Sequence, residues 1–270
     1  MMKKFIFLIS TMIAMATSPL SAKEQPFDAG EELDFTFRYK YGLFMLKAGT
    51  AKLTVKDAHY NYTVANEIML TIKTSSFFDK IYKIRDTLQS YMNRHLEPMY
   101  NIRRLHEHKT NYNEEIFYNT FSHNYSEVRV IRADNNNVKF DTVLHCNNHG
   151  FDILSIIVFA RTLDYQNMHK GQTMKITNFI GKDNINILIK YKKETVDIGG
   201  NEYEAYKLNI DVSDKAFNES KNAMEIWISA DKNRIPLKVK AKLKIGATEV
   251  ELASHRNLKY SLSSKKDKTI

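Results

Sequence analysis

Cysteine is almost missing from this sequence: Cys146 stands alone among 270 residues. A lone thiol cannot close an intrachain disulfide, so stability must come from a buried core, which a chain of this length can supply. Burial is the expected fate of that thiol. Only 4 prolines and 9 glycines interrupt the chain, and no Ser/Pro-rich or low-complexity stretch marks a linker. This predicts one β-rich domain over residues 23–260, followed at 261–270 by a flexible basic tail. After residue 22, no apolar run approaches the roughly 20 residues that a membrane-spanning helix needs, so the mature chain is expected to have no transmembrane segment. Catalytic signatures are lacking too: there is no Gly-x-Ser-x-Gly, no Gly-rich phosphate loop and no His-Glu-x-x-His.

What is present begins with an address. Lys3 and Lys4 precede the apolar run 5–16, and a polar stretch ends at Leu20-Ser21-Ala22. That pattern predicts a signal peptide over residues 1–22 and a periplasmic or secreted protein. A bacterial lipid anchor would need a cysteine at the new N-terminus, and Cys146 is far from it. Without Lys3 and Lys4 the net charge falls from +9 to a moderate, dispersed +7.

The periodicity is that of strands. Leu33, Phe35, Phe37 and Tyr39 alternate with polar residues, Gly42 breaks the run, and Ala51, Leu53 and Val55 resume it. Asn135-Asn136-Asn137, Gly199-Gly200-Asn201 and Asp231-Lys232-Asn233 each separate two strand-like runs and predict hairpins, and Gly246 opens another. Two stretches have helical spacing instead: 76–84, with Phe77, Phe78, Ile81 and Tyr82, and 152–163, with Asp152 placed as the cap. The expected fold is mainly β, an antiparallel open barrel or strongly curved sheet with one or two short helices packed in or over it.

Three segments carry a family likeness. "AGEELDFTFRYKYGLFMLKAGTAKLTV" (29–55), "FDILSIIVFARTLDY" (151–165) and the stretch with Trp227-Ile228-Ser229, Asp231 and Arg234-Ile235-Pro236-Leu237 together resemble the exported bacterial domain-of-unknown-function 3108 family. The resemblance implies an exported, β-rich envelope protein without an established activity. At the level of fold it implies a looser similarity to the open barrels of lipoprotein carriers.

Candidate chemistry is sparse. His106 and His108 in "HEH", and His145 and His149 in "HCNNH", are the metal-ligand candidates; both His of "HEH" are expected on one strand face, and Asn147-Asn148 before Gly150 argue for a turn. No cofactor is expected. Arg161, Asp231 and Arg234 read as fold determinants near a helix end and a turn. Lys238, Lys240, Lys242 and Lys244 interleave with Leu237, Val239, Ala241, Leu243 and Ile245, giving one cationic and one apolar face. That cationic face has no stacking aromatics, which argues against nucleic acid. It is expected to face solvent on an outer strand, blunting edge pairing, or else to meet an anionic envelope surface.

The apolar segments Tyr41, Leu43 and Phe44 in a loop, Ile153, Ile156, Ile157 and Phe159 on the helix, and Trp227 are the candidate ligand-binding residues. The functional expectation is an exported non-enzymatic envelope protein that binds or carries a lipid or other apolar ligand in a curved sheet. Two alternatives stand beside it: a structural or interaction module for polysaccharide or an envelope partner, and a hydrolase assembled from scattered His, Asp and Glu.

Overall fold

Alternation of apolar and polar residues carries the chain through one long antiparallel meander. The computed structural model describes residues 25–41, 43–134, 137–213, 224–242 and 247–266. The expected signal peptide, the side chain of Tyr41, Gly42, Asn135 and Asn136 of the expected hairpin, residues 214–223, the stretch Leu243 to Gly246 and residues 267–270 lie outside the described residues.

The strands are β1 (Glu32–Tyr41), β2 (Phe44–Tyr60), β3 (Thr63–Thr74), β4 (Arg85–Asn93), β5 (Pro98–Glu107), β6 (Thr110–Phe121), β7 (Ser126–Asp134) and β8 (Asn137–Cys146) in the first half. The second half supplies β9 (Gly150–Phe151), β10 (Thr173–Ile180), β11 (Asp183–Ile198), β12 (Asn201–Ser213), β13 (Met224–Ser229), β14 (Pro236–Lys242) and β15 (Ala247–Arg256). They form one sheet in the order β8-β7-β6-β5-β4-β3-β2-β1-β15-β14-β13-β12-β11-β10-β9. Pairing is antiparallel except between β9 and β10, and β1 joins β15 to tie the two halves together. The expected hairpin at Gly199-Gly200 is present: both glycines have positive φ, 60° and 80°, between the paired residues Ile198 and Asn201.

The sheet curls into a nearly closed barrel whose ends, β8 and β9, meet through side chains rather than a ladder. Ser126 Oγ accepts from Gly150 N at 3.0 Å and donates to the Asn148 carbonyl at 3.1 Å. Phe179 of β10 packs with Ile116, Val128 and Val130 of β6 and β7. Gly150 is required for that approach, because a Cβ there would lie 2.2 Å from the Phe179 ring. Nearby, Glu114 is fully buried between Arg103 and Arg132 and accepts from Gly181 N.

Among the described residues two helices interrupt the meander. α1 (Ser76–Asp79) is a single turn capped by Ser75, shorter than its sequence spacing suggests, so Ile81 and Tyr82 follow it rather than belong to it. α2 (Ile153–Thr162) starts after Asp152 as expected and runs through the lumen. Its buried Ile156 and Ala160 belong to a cluster with Ile176, Ile187, Leu208 and Ile226, while Leu154 packs with Leu88 and Leu105.

Residues 261–266, expected to begin a flexible tail, are held in place instead. Ser261 accepts from Asn233 Nδ2, Ser264 N donates to Asp231, and Lys265 bridges to Tyr203 beyond the end of β13. The exposed backbone of β12 at that point supplies partners that no local pattern in the tail announces.

Candidate functional site

The residues that carry the family likeness converge on α2. At its N-terminus the fully buried Asp152 accepts from Leu154 N and Ser155 N at 2.9 and 3.1 Å, closing the helix cap. The same carboxylate accepts from Asn101 Nδ2 at 3.1 Å, Tyr118 OH at 3.1 Å and Ser155 Oγ at 2.8 Å, which fixes the helix start against β5 and β6. Burial pushes the Asp152 carboxyl up, and the hydrogen bonds from Ser155, Tyr118 and Leu154 oppose that.

At the other end Arg161, also buried, makes a two-pronged ion pair with Glu31 and donates to the Asn233 carbonyl at 2.9 Å. Arg234 reaches the carbonyls of Leu163 and Arg161 and lies over the Tyr165 ring. Asp231 accepts from Ser229 Oγ, Asn233 N and Ser264 N, shaping the turn that presents Arg234. These motifs hold a helix inside a barrel, in keeping with their reading as fold determinants.

The candidate ligand residues fall into separate places. Ile156 and Ile157 spend their surface on the barrel wall. Phe159 packs on Phe151 in a tilted arrangement with ring centroids 4.7 Å apart, beside His149, while Ile153 is exposed. Trp227 is buried in the core cluster that also holds Val158, Tyr203, Ala205 and Leu237, with Ile157 packed against it; its Nε1 donates to Glu194 at 2.7 Å, with the Lys207 ammonium 4.5 Å above its ring. The structure therefore does not gather these residues into one pocket.

Of the lysine comb, Lys240 and Lys242 are exposed as expected, but the strand that carries them and the fate of Lys238 differ from expectation. β14 is an inner strand, flanked by β13 and β15, and not an edge. Lys238 is buried between Glu249 and Glu251 of β15, and Lys240 pairs with Glu249 at 3.3 Å. Arg38 of β1 extends the lattice to Glu251. Burial disfavours the Lys238 charge, but the hydrogen bonds and charges of Glu251 and Glu249 outweigh it and raise the pKa. A cation held this way is a cross-strand structural charge, and its partners sit on a strand that only register brings alongside.

The four candidate histidines do not converge. His106 is exposed at the end of β5, and His108 sits in the following turn with φ 48°, so the two do not share a strand face as expected. His145 lies on the exposed face of β8 near Tyr125. His149 belongs to an aromatic cluster, its ring 4.4 Å from that of His123; burial, and then His123, holds its pKa down. No group of three or more His, Cys, Asp or Glu with metal-binding geometry occurs among the described residues.

A cluster of exposed apolar side chains lies at one rim, where β1–β2, β3–β4 and β5–β6 connect. The β1–β2 hairpin overhangs the barrel there: β3 stops at Thr74, opposite Gly49, while β2 continues out to Phe44. Leu43, Phe44, Met45 and Leu46 are therefore exposed on both faces of the hairpin, Leu43 at 98% and Phe44 at 71%. Beside them, Ser75 N bonds to the Ala48 carbonyl and anchors α1, and Phe77 of α1 and Ile81 and Tyr82 just after it are also exposed. Exposed lysines surround this patch: Lys40 and Lys47 on the hairpin, Lys80 and Lys83 after α1, and Lys109 in the next turn. The acids at the same rim are engaged, Asp79 by Arg85 and Glu107 by Tyr82.

The family described as "Protein of unknown function (DUF3108)" matches residues 34–253. The chain belongs to that family. A crystal structure of a beta-barrel-like protein of domain of unknown function DUF1849 from Brucella abortus is similar in fold, with a TM-score of 0.56 at 6% identity, covering 85% of this chain and 98% of that one. No curated protein matches. For this DUF3108 chain the likeness establishes a barrel-like architecture. No described helix is long and apolar enough to cross a membrane.

Proposed function

We propose that this protein is an exported, non-enzymatic envelope protein that seats on an anionic lipid surface through the overhanging β1–β2 hairpin. The observation that carries this reading is the joint placement of Leu43, Phe44, Met45, Leu46, Phe77 and Ile81 at one rim inside a collar of lysines. Exposed apolar side chains lose water contact when they enter the acyl boundary, each contributing on the order of 1 kcal/mol or more. Each nearby lysine adds about 1 kcal/mol against an anionic leaflet. The lumen is occupied by α2, so the rim is the better place for the apolar contact expected from the sequence.

Vesicle flotation tests it. The processed protein should float with vesicles containing an anionic phospholipid, float less with neutral ones, and lose binding on joint substitution Leu43→Ser and Phe44→Ser. Binding that survives those substitutions, or no flotation with anionic vesicles, overturns the proposal.

A further inference from the structure

A second surface lies at the opposite rim, where the β2–β3 and β4–β5 turns approach the end of β6. On the outward side of the sheet, Tyr60, Tyr100 and Phe117 form a continuous aromatic wall. Tyr60 stacks on Tyr100 with centroids 5.2 Å apart and planes within 6°, and Tyr100 meets Phe117 at 5.0 Å. Tyr100 is fixed by its hydroxyl, which donates to Glu115 at 2.6 Å, and Tyr91 closes on Tyr60 at 5.6 Å. The wall borders an open groove of about 480 Å³. Among its lining residues are the aromatics Tyr60, Phe117 and Phe121 and the polar residues Asn61, Thr63, Glu97 and Thr120.

The two turns that frame the groove are set locally. Asn61 and Tyr62 take positive φ, 46° and 64°, as a two-residue hairpin turn demands. In the other turn, Asn93 Oδ1 accepts from His95 N and Glu97 N, and Asn93 Nδ2 donates to Glu97. The groove floor is therefore preformed, with the carboxylate of Glu97 oriented by its neighbour.

We infer that this groove binds a segment of neutral glycan. The lining pairs flat apolar rings with short amide, hydroxyl and carboxylate groups, which matches a pyranose ring: an apolar C–H face and a rim of hydroxyls. No lysine or arginine is among the lining residues, which disfavours a phosphorylated or acidic ligand. An acyl chain would leave the polar half of the lining without partners. A peptide added as a strand needs a free sheet edge, and the groove is framed by turns and outward side chains. The volume falls within the range of small-ligand sites, and its open ends suit an extended chain. The site lies at the far end of the barrel from the lysine-ringed hairpin and does not depend on it.

The test is a titration of the whole processed protein, labelled with ¹⁵N, with two soluble probes: the β-linked N-acetylglucosamine hexasaccharide and the β-linked glucose hexasaccharide. Binding should move the amide signals of 60–63, 93–98 and 117–121 and leave those of 43–47 in place. Tyr60→Ala should weaken binding by about tenfold, the scale of one lost aromatic contact. Thr120→Trp places a bulky ring at an exposed position in the groove and should block binding while the rest of the spectrum stays folded. Which hexasaccharide binds tells an acetylated glycan from a plain one. No shift at these residues with either probe, shifts confined to another surface, or groove shifts produced instead by an unstructured peptide control overturns the inference. A Leu43→Ser and Phe44→Ser variant that loses vesicle flotation but keeps sugar binding separates this site from the lipid-facing rim.

Discussion

Arg161 and Glu31, 130 residues apart in sequence, form a buried ion pair in which Nη1 meets Oε1 at 2.6 Å and Nη2 meets Oε2 at 2.8 Å. The pair stitches the C-terminal end of the lumen helix to the start of β1, and the guanidinium also lies over the Phe27 ring. Removing one partner leaves the other charge buried and alone. Arg161→Met is expected to cost about 3–5 kcal/mol, and adding Glu31→Leu should recover part of that loss. Urea unfolding followed by the fluorescence of the single tryptophan, Trp227, measures both. A single variant that unfolds at the parent midpoint would show that the pair does not hold the helix.

Asp152 should be the most sensitive polar position at the other helix end. Asp152→Ala removes a cap and strips Asn101 Nδ2 and Tyr118 OH of their acceptor, for a combined cost of about 3 kcal/mol. Asp152→Asn keeps one acceptor oxygen and should cost less. Thermal unfolding of the two variants gives the order, and an alanine variant as stable as the asparagine one would contradict it.

The seam between β8 and β9 offers a steric test. Gly150→Ala places a methyl into the Phe179 ring, and relieving that overlap should cost about 1–3 kcal/mol. Amide exchange in β8 and β9 should speed up before that of β2 and β3, because only the former depend on side-chain closure. Uniform acceleration along all strands would mean the seam is not a separate unit.

Asp86 gives a pH dependence. Burial raises its pKa to about 6 from the usual 3.8, while the hydrogen bond from His106 N opposes the rise. The folded state thus keeps a proton that the unfolded chain releases, so this residue's contribution to stability falls as pH climbs from about 4 to about 6 and stays low above. Asp86→Asn retains an acceptor for His106 N and removes the charge. It should stabilise the protein by about 2 kcal/mol at pH 8 and by little at pH 4. Denaturation at the two pH values decides it; equal effects at both would refute the assignment.

Much of the barrel could be read from the chain because its signals are local. Alternation in Leu33–Phe37, the Gly199-Gly200 turn and the Asp152 cap each act within a few residues of themselves. Other features depend on partners far away in sequence. Lys238 looks like a solvent cation until register places Glu249 and Glu251 beside it. Trp227 looks available until Glu194, Lys207 and Lys240 enclose it. Leu43 and Phe44 did stand out as apolar residues in a loop, because a hairpin tip leaves them nothing to pack on. The groove at Tyr60 did not, since its wall is assembled from β2, β5 and β6, which sequence shows only as scattered aromatics.

The pairing of β1 with β15 has a kinetic side. Synthesis delivers β1 early and β15 late, yet Glu32 of the first strand faces Arg256 of the last at one end of their ladder. Until the last strand arrives, the first presents an open row of amides and carbonyls beside Leu33 and Phe35, a surface on which a second unfinished chain could add itself. Such long-range closure makes folding slow compared with a helical protein of equal size. The nascent ribbon therefore needs either dilution or a chaperone that shields its leading edge until the barrel shuts.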